Sequence, residues 1–600
     1  MKNEELVKQL TSPSKNSRLE KFGKTITFLC LALIVFIVAM ILLFVAQKGL
    51  ATFFVNKVSL IEFLFSGDWS PSEGKFGALP MILGSFVVTL LSALVATPFA
   101  IGAAIFMTEI SPKGAKFLQP AIELLVGIPS VVLMERAALS VTGHILEQID
   151  KTAGVRIICI CGSGNNGADG LAIARQLFLK GYKVDVFLNE GRHSTQEYRI
   201  QLNIIRNLGI QCIDDPDFSG YGVIVDALFG NGLSGSLKEK AACIVDNINK
   251  AHSKGAYVTA VDIPSGISAT SGMVLGCAVK ADTTVTFGYR KVGQLLYPGA
   301  AYCGNLITAD IGFAEYKDMP RNKYVYEESD AAKNIIKRKP DSNKGSCGKA
   351  LIIAGSKQYG GAAVLASQAA YRMGAGLVKL ITHSDNRNIV LNNNVECLLD
   401  IYSDGEFLEP EASVIWSDAI CIGPGLSKCD MALKYVRYIA ERTDKKRLFD
   451  ADALNISVEE QITFRGNNVV VTPHIGEMSR LTGKSIADIK ADITGTAVSY
   501  AREHNCICVL KDARTVVTDG KDIYINISGN DGMATGGSGD VLSGMITSLM
   551  AQGMDCFEAA KLGVYIHGLA GDKAADEKTR YSMVAGDIIK NIPVLLSHLL

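Results

Sequence analysis

An alternation of buried strands, glycine-rich turns and helices begins near residue 155 and constrains the fold of this chain more than any other feature. Val155–Cys161 is a continuous apolar run that ends at glycine, and Asp169–Gly181 follows with helical periodicity. Continuous apolar runs of this kind are typical of parallel strands buried on both faces. Further strands are predicted at Lys183–Asn189, Val223–Phe229, Ala256–Pro264 and Ala281–Gly288. The alternation predicts a doubly wound α/β sheet with functional residues at the carboxyl ends of its strands.

The same alternation resumes at Lys349–Ser356 and continues to the carboxyl terminus, which predicts a second α/β domain. Between the two, Glu315–Gly345 is charged and poor in apolar residues, as expected of a linker with a short helix. Lys plus Arg and Asp plus Glu both number 60, and this balance argues against a nucleic-acid binder. The 14 cysteines form no CxxC pair, which argues against structural zinc and favours reduced thiols.

Two long uncharged runs distinguish the first 110 residues. Thr25–Gln47 and Phe76–Thr108 contain no charged residue, and both exceed the ~18 residues that a membrane-spanning helix needs. Lysine and arginine are concentrated before the first run, so the positive-inside rule places the amino terminus in the cytoplasm. The sequence therefore predicts a two-span α-helical membrane segment that holds the α/β domains at the cytoplasmic side of the cell membrane.

This amino-terminal stretch resembles the permease subunit of a phosphate ABC transporter over Gly67–Pro112 and Glu123–Val132. The resemblance ends where a third span would begin, and two helices cannot enclose a transport pathway. At Gly127–Val141 the permease-like sequence ends and the sequence that leads into the first α/β domain begins, without a linker between them. We therefore interpret residues 1–126 as a truncated permease-like membrane segment.

The turn after the first strand contains Gly162, Gly164 and Gly167, which satisfy GxGxxG, and Asp185 lies in the next strand. Such a fingerprint suits a dinucleotide whose pyrophosphate sits at a helix amino terminus and whose ribose meets an acid. The motif alone is also compatible with a tightly packed turn.

Other strand ends carry polar residues that would share one sheet edge. Asn166, Asp226 and Ser265 offer hard oxygen ligands, which suit a monovalent or hard cation better than zinc. Asp262 lies beside Ser265, and Gly230–Gly235 forms a second glycine-rich loop. Each residue alone could be a helix cap or turn residue, but their convergence indicates a site.

These phrases resemble the epimerase domain of the NAD(P)H-hydrate repair enzymes over about residues 127–315, in PSVVLMERAA, GSGNNGADG, VDALFGNGLSG and AVDIPSG. The resemblance implies a Rossmann-like fold that interconverts the R and S epimers of hydrated NADH or NADPH, with potassium at Asn166, Asp226 and Ser265. It implies substrate contacts from Asn165, Asn166, Gly167, Ala168, Asp169, Gly230, Asn231, Gly232, Leu233, Ser234, Gly235, Ser236 and Asp262. Asp262 is the candidate for proton movement. Ala168 replaces a glycine usual in the family, a mild change if the local φ is negative.

In the second domain, Asn530–Ile546 places Gly536, Gly537 and Gly539 directly before an apolar helix. Their N–H groups would converge at the positive end of that helix, an arrangement that binds a phosphoryl group in transfer. Asp540 lies where a base could take a proton from an attacking hydroxyl, although a helix-capping aspartate is the simpler alternative.

Phrases elsewhere in this domain support the same interpretation: Gly360–Val378, Gly423–Ser427, Phe449–Asn455, Thr472–Met478 and Val509–Gly520. Lys511 ends a strand and could face nucleotide phosphates, and His474 lies at a strand end. Taken alone, a solvated lysine and a structural histidine are the simpler interpretations of these two residues.

Together these phrases resemble the dehydratase domain of the same repair enzymes over about residues 325–600, which implies a ribokinase-like α/β fold. The implied reaction is ADP-dependent dehydration of the S epimer, giving NAD(P)H, AMP and phosphate, with Asp540 as base and Mg²⁺ at the transferred phosphoryl. The implied dinucleotide contacts are Ala362, Gly425, His474 and Asp540. The implied nucleotide contacts are Lys511, Asp512, Ala513, Arg514, Thr515 and Gly539. Asp512 and Asp531 stand where the family commonly has Gly and Pro, and their charges would weaken nucleotide binding.

The leading hypothesis is a bifunctional metabolite-repair enzyme, an isomerase and lyase, with a membrane segment (1–126), an epimerase (127–315), a linker (316–345) and a dehydratase (346–600). Its expected partners are hydrated NADH or NADPH, ADP and the membrane, with no nucleic acid; homo-oligomerisation stays open. One alternative makes the carboxyl-terminal half a ribokinase-class small-molecule kinase, which an assay for AMP against phosphorylated sugar would separate. Another makes the chain a phosphate permease subunit with cytosolic appendages, which phosphate uptake would test.

Overall fold

The computed structural model describes residues 59–70, 75–105, 130–149, 154–189, 191, 193–215, 217–233, 235–313, 322–442 and 444–600. The chain divides into two compact units, Met1–Val126 and Gly127–Leu600. In the first unit, the described elements are α1 (Leu60–Phe65), β1 (Trp69–Ser70), β2 (Lys75–Phe76) and α2 (Leu79–Ile105). Strands β1 and β2 pair in antiparallel fashion.

The two predicted membrane spans have different outcomes. The first uncharged run, Thr25–Gln47, lies outside the described residues. The second run coincides with helix α2. Among the described ranges, no helix satisfies the combined requirements of length and apolar character for crossing a membrane. The expected two-span membrane segment is therefore not confirmed.

The second unit begins with an α/β domain, here called the first α/β domain (residues 130–313), built on a seven-stranded parallel sheet. Its helices are α3 (Ser130–Gln148), α4 (Asn165–Leu179), α5 (Gln196–Asn207), α6 (Glu239–Ser253) and α7 (Val292–Leu295). Its strands are β3 (Arg156–Gly162), β4 (Lys183–Asn189), β5 (Gln211–Ile213), β6 (Val223–Ala227), β7 (Tyr257–Val261), β8 (Thr283–Phe287) and β9 (Asn305–Ala309). The strand order is β5-β4-β3-β6-β7-β8-β9, which confirms the predicted doubly wound sheet.

Helix α3 shows how the start of this domain is held. Its apolar face, which includes Ala138, Val141 and Ile145, is fully buried in one core with β3 and α4. Glu135 of the same helix forms an ion pair with Arg175 of α4 and accepts a hydrogen bond from the Gln176 amide at 3.1 Å. The sequence from residue 130 is therefore an integral part of the domain.

The second α/β domain (residues 322–600) contains a ten-stranded mixed sheet. Its strands are β10 (Lys323–Tyr324), β11 (Lys349–Ile353), β12 (Leu377–His383), β13 (Leu398–Tyr402), β14 (Ala419–Ile422), β15 (Lys446–Phe449), β16 (Val469–Val471), β17 (Ile507–Leu510), β18 (Val516–Thr518) and β19 (Ile523–Ile525). Its first helices are α8 (Glu328–Asn334), α9 (Gly360–Arg372), α10 (Arg387–Asn393), α11 (Glu411–Trp416), α12 (Asp430–Ala440) and α13 (Asp452–Glu459). The remaining helices are α14 (Ile475–Thr482), α15 (Ile486–Ala491), α16 (Ile493–His504), α17 (Ser538–Ala551), α18 (Cys556–Lys578) and α19 (Ala585–Leu599).

The strand order of this sheet is β10-β19-β18-β17-β16-β15-β14-β11-β12-β13. The pairs β17–β18 and β18–β19 are antiparallel, and the others are parallel. Strand β10 and helix α8 lie in the range that the sequence assigned to a linker. Because β10 pairs with β19, that part of the range belongs to the sheet of the second domain.

Helices α9 and α17 approach closely at a glycine. A Cβ atom on Gly544 of α17 would lie 2.1 Å from the Ala366 carbonyl oxygen of α9. A backbone carbonyl cannot rotate aside as a flexible side chain can, so any larger residue at this position separates the two helices. Since α17 carries Gly539 and Asp540 in its first turn, this contact also sets the position of the predicted phosphoryl site.

We predict that Gly544→Ala lowers the free energy of unfolding by about 1–3 kcal/mol, because the added methyl group overpacks this contact. Gly586→Ala in the first turn of α19 is the matched control, since a Cβ added there would have nothing within 4 Å of it. The control is expected to be neutral or stabilising by up to about 1 kcal/mol. Chemical denaturation of both variants checks this, and equal stability of the two would contradict it.

Candidate functional site

Five neighbouring parallel strands of the second domain, β11, β14, β15, β16 and β17, end at one edge of the sheet. The residues that follow three of them are Asp450 after β15, His474 near the end of β16 and Lys511 after β17. His474 and Lys511 form an isolated parallel bridge, which extends the pairing of their strands. Lys511 and His474, each predicted to lie at a strand end, therefore meet Asp450 at one sheet edge.

Asp450 is the buried centre of this edge, with only 1% of its surface exposed. Its carboxylate accepts a hydrogen bond from Lys511 Nζ at 2.8 Å and another from Ser543 Oγ of α17 at 2.7 Å. Burial alone would lower the pKa of Lys511, but the charges of Asp450 and Glu477 outweigh it and raise that pKa. Lys511 is therefore a fixed positive charge at the carboxyl edge of the sheet.

Asp540 lies in the first turn of α17, whose N-cap Gly537 has a φ of 91°. Burial raises the pKa of Asp540 to about 7, and the nearby carboxylates of Asp450 and Asp452 add to the shift. A carboxyl group with a pKa near neutrality can accept a proton from a hydroxyl and release it again. The position and the pKa of Asp540 both fit the predicted general base.

His474 is the N-cap of helix α14. Its Nδ1 accepts a hydrogen bond from the Gly476 amide at 2.9 Å, while its own amide donates to the Glu477 carboxylate at 2.8 Å. Burial and the charge of Lys511 lower the pKa of His474, so the ring is neutral. With Nδ1 accepting, Nε2 carries the proton, and it lies 3.5 Å from Glu477 Oε1.

A cavity of about 1230 Å³ adjoins this edge. The predicted nucleotide residues Lys511, Asp512, Ala513, Arg514, Thr515 and Gly539 all line it, and so does His474. Asp540 follows Gly539 directly. The structure thus brings the predicted nucleotide set together around one space of the size of a ligand pocket or larger.

Ala362 and Gly425, the other predicted dinucleotide contacts, lie against each other. A Cβ atom on Gly425 would lie 2.7 Å from that of Ala362, and Gly425 has a φ of 56°. They belong to the same sheet edge, because the Ser356 amide after β11 donates to the Gly425 carbonyl at 2.7 Å.

Asp531 and Asp512, the two acidic residues that depart from the family pattern, have different surroundings. The Asp531 carboxylate lies 3.3 Å from a guanidinium nitrogen of Arg580, which lines the same cavity. This exposed ion pair offsets part of the negative charge at Asp531. Asp512 is exposed at the cavity wall.

In the first domain, Asp226 at the end of β6 is completely buried. Its carboxylate accepts hydrogen bonds from the Ser265 amide at 2.8 Å and the Ser265 hydroxyl at 2.6 Å. Burial raises the pKa of Asp226 to about 6, while the hydrogen bonds from Ser265 oppose that rise. Two of the three predicted cation ligands are therefore in direct contact.

The third predicted ligand, Asn166, lies beside the glycine-rich loop after β6. Its Oδ1 would be 3.3 Å from a Cβ on Gly230, and its Nδ2 is buried without a hydrogen-bond partner. The loop residues Asn231, Gly232, Leu233, Gly235 and Ser236 follow Gly230, and Ser234 lies outside the described residues. Asn165, Gly167 and Ala168 lie with Asn166 at the start of α4. Ala168 has a helical backbone with a negative φ, which is the condition under which alanine replaces glycine there as a mild change.

Asp262 has a φ of 66°, an uncommon conformation for a residue with a side chain. Two groups hold it there: Lys291 Nζ forms an ion pair with its carboxylate, and Gln294 Nε2 donates to its backbone carbonyl at 2.5 Å. Asp169 lies close enough that the charge of Asp262, after burial, raises the pKa of Asp169 well above its usual range. Backbone strain of this kind is concentrated at functional sites.

The dinucleotide interpretation of Asp185 is wrong. Its carboxylate accepts hydrogen bonds from Arg156 Nη2 and the Tyr221 hydroxyl, both at 2.8 Å. Asp185 pairs with Ile158 near the beginning of β3, away from the carboxyl edge where the glycine turn lies. Gly162 and Gly167 serve close packing, since a Cβ on Gly162 would meet the Leu228 carbonyl oxygen at 2.0 Å and one on Gly167 the Gly162 carbonyl oxygen at 1.7 Å, whereas a Cβ on Gly164 would have nothing within 4 Å.

Several residues of the two sites are not singled out by the sequence. Lys291 and Gln294 hold Asp262, and their sequence context gives no signal of this. Asp450 and Glu477 lie inside phrases that carry the family resemblance, but their roles depend on contacts between strands. His567, whose ring nitrogen lies 3.4 Å from Ser538 Oγ, lines the cavity, and burial lowers its pKa to about 4.

The folds and sites define a two-domain α/β enzyme with a nucleotide-sized cavity in its second domain. Two family models match the chain: "YjeF-related protein N-terminus" over residues 130–293 and "NAD(P)H-hydrate dehydratase" over residues 350–594. The bifunctional NAD(P)H-hydrate repair enzyme Nnr of Moorella thermoacetica is 36% identical over 79% of this chain and 93% of its own length. The enzyme of the same name from Coxiella burnetii is 36% identical over 78% and 96%.

A solved ribokinase-like superfamily protein from Enterococcus faecalis is 26% identical, covers 48% of this chain and 99% of its own, and has a TM-score of 0.42. On the sequence matches, the chain belongs to the family of bifunctional NAD(P)H-hydrate repair enzymes, with an epimerase domain followed by a dehydratase domain. The permease resemblance of the first 126 residues is not confirmed by these comparisons.

We predict that Ser265→Ala lowers the free energy of unfolding by about 1–3 kcal/mol, because the buried Asp226 carboxylate loses a hydrogen bond that nothing replaces. Ser253→Ala is the control: the Ser253 hydroxyl is exposed and donates only to the Lys250 carbonyl. Its effect is expected to stay within about 0.5 kcal/mol. Thermal unfolding of both variants checks the difference, which should vanish if the Ser265–Asp226 contact is unimportant.

Proposed function

We propose that the second domain dehydrates the S epimer of hydrated NADH or NADPH by phosphoryl transfer from ADP. The ring hydroxyl attacks the terminal phosphorus of ADP, the bond to AMP breaks, and the proton of the hydroxyl passes to Asp540. Loss of the phosphate and of a ring proton then restores the double bond of NAD(P)H. The observation that carries the proposal is Asp540, a carboxyl with a pKa of about 7, which follows Gly539 in a helix whose first turn, like Lys511, lines the cavity.

Each part of this edge has a defined task. Amide groups in the first turn of α17 lack partners within the helix and face the transferred phosphoryl group with the positive end of the helix dipole. Lys511, fixed by Asp450, adds a positive charge where negative charge accumulates. His474 would offer its Nε2 proton to the dinucleotide, and Ala362 and Gly425, which contact each other at the same sheet edge, would contact the same ligand.

The residues present fit Mg²⁺ that is bound through the nucleotide. Among the described residues, no group of three or more His, Cys, Asp or Glu side chains is placed to hold a metal ion. Mg²⁺ characteristically binds through substrate phosphates with few protein carboxylates and retains water ligands. When bound, the ion neutralises charge on the phosphoryl group; Asp540 still receives the proton, and Lys511 still orients the phosphates.

In the first domain, we propose that Asp262 moves the proton at the hydrated ring during epimerisation. Its carboxylate is held by Lys291, and Asp169 lies nearby, where burial and then the charge of Asp262 raise the pKa of Asp169 well above its usual range. Residues 165–169 and 230–236 would surround the substrate.

A potassium ion fits the neighbouring oxygen donors of the first domain. The Asp226 carboxylate and the Ser265 hydroxyl are in contact, and the Asn166 amide lies beside the loop at Gly230. Carboxylate, amide and hydroxyl oxygens suit a hard cation. When bound, the ion would stabilise this edge, while Asn166 and Asp226 fix the loop that begins at Gly230.

We predict that Asp540→Asn lowers the dehydration rate by about 10²–10⁴-fold, because the amide cannot accept the proton of the hydroxyl. The full chain is incubated with hydrated NADH, Mg²⁺ and ADP, and recovery of NADH at 340 nm and release of AMP are followed. Asp444→Asn is the matched control: it is exposed and precedes β15 at the opposite edge of the sheet. An Asp540→Asn rate above about a tenth of the wild-type rate contradicts the assignment.

The pH dependence provides a separate test of Asp540. Because the base must be deprotonated, kcat/KM should fall as the pH falls through about 7. Asp452→Asn removes a charge that raises this pKa, so the acid limb should move to lower pH. The amide can still accept the hydrogen bond that the Ser427 amide donates to Asp452 at 2.7 Å. If the acid limb of the Asp452→Asn profile stayed in place or moved to higher pH, this explanation of the raised pKa of Asp540 would be ruled out.

A further inference from the structure

The segment from Lys291 to Pro298 belongs to the epimerase domain by sequence but reaches into the dehydratase domain. Leu295 and Leu296 are 9% and 2% exposed, and they are buried in one apolar core with Ile475 and Ile493 of the dehydratase domain. Burial of two leucines fixes the position of the residue that follows them.

That residue is Tyr297, whose surface is 46% exposed. It lines the dehydratase cavity together with the nucleotide segment 511–515. The centre of its ring lies 5.8 Å from the guanidinium carbon of Arg514. An aromatic ring held by its buried neighbours and half open to a nucleotide cavity is suited to stack on a planar base.

Arg514 carries an unsatisfied group at the same place. Its Nη1 donates to the Ile527 carbonyl at 2.5 Å, which fixes the guanidinium, while its Nε is buried without a hydrogen-bond partner. A buried donor without a partner costs free energy unless a ligand or water satisfies it.

Tyr297 also lines a second cavity of about 370 Å³. Met273, Leu296, Pro298 and Ala301 of the epimerase domain line it opposite Lys490, Asp512, Ala513 and Arg514 of the dehydratase domain. Tyr297, Lys490, Asp512, Ala513 and Arg514 line both cavities. The space around the nucleotide segment is therefore walled by both domains.

We propose that Tyr297 of the epimerase domain is a ligand-binding residue of the dehydratase, where its ring stacks on the adenine of a bound nucleotide. The adenine belongs either to the ADP co-substrate or to the adenosine half of the hydrated dinucleotide. Both present a planar base next to phosphates, and Arg514 and Lys490 supply the positive charge nearby. The inference rests on the dehydratase reaction proposed above, but binding measurements test it separately.

The test compares the full chain with Tyr297→Ala, Tyr297→Phe and Tyr289→Ala. Tyr289 is the matched control, because it is an exposed tyrosine of the epimerase domain that does not line either cavity. For each protein, kcat and the KM values for ADP and hydrated NADH are measured. Calorimetry adds the Kd of Mg·ADP, and of hydrated NADH in the Asp540→Asn background. The epimerisation rate of the same preparations checks that the epimerase domain is folded.

Tyr297→Ala is expected to raise KM and Kd for one of the two ligands by about 5- to 30-fold, while Tyr297→Phe and Tyr289→Ala stay near the wild type. A rise for ADP assigns the stacked base to the co-substrate. A rise for hydrated NADH alone assigns it to the dinucleotide, and hydrated nicotinamide mononucleotide, which lacks adenosine, should then be insensitive to the substitution.

Changes below about twofold for both ligands would overturn the proposal, as would a loss of kcat with unchanged Kd values. If the wild-type chain bound Mg·ADP without dehydrating hydrated NADH, the proposed reaction would fail. The Kd comparison between Tyr297→Ala and Tyr289→Ala would still decide the role of Tyr297.

Discussion

The dehydratase site depends on one buried carboxylate, Asp450. It joins three elements at a single point: β15, which it follows, β17 through Lys511, and α17 through Ser543. A buried charge is costly unless it is paired and fully hydrogen-bonded, so each partner is held firmly in place. The same carboxylate helps to raise the pKa of Asp540 one helical turn from Ser543. Asp450 therefore helps to fix the position of the proposed base and, after burial, adds to the rise of its pKa.

The epimerase site is organised by a different constraint, the backbone of Asp262. A positive φ at an aspartate is unfavourable and persists because Gln294 holds its carbonyl and Lys291 its carboxylate. Both partners come from the segment around α7, which follows β8. The neighbouring Asp226–Ser265 pair closes the adjacent strand end. The geometry of the epimerase site is thus set by the ends of three neighbouring strands: β6 with Asp226, β7 with Asp262 and Ser265, and β8 with the segment that follows it.

Sequence patterns predicted the parts of this molecule that depend on local spacing. Apolar runs located most strands, and glycines before an apolar helix located Asp540, because a helix amino terminus is encoded within a few residues. Asp185 was misassigned because a motif does not reveal which end of a strand an acid occupies. Lys291, Gln294 and Asp450 could not be singled out, since their roles arise from contacts between distant segments. The position of Tyr297 in the dehydratase cavity has the same origin.

The burial of Leu295 and Leu296 in the dehydratase core has a consequence for how the chain can be divided. A cut between residues 313 and 322 follows the sequence boundary of the domains, but it would separate these leucines from the apolar surface that they cover. The isolated carboxyl-terminal fragment would expose that surface and would lose one wall of its cavity. Exposed apolar patches promote association, so such a fragment should be prone to aggregate unless the two pieces are produced together. Residues that the sequence assigns to the epimerase domain thus cover apolar surface of the dehydratase domain.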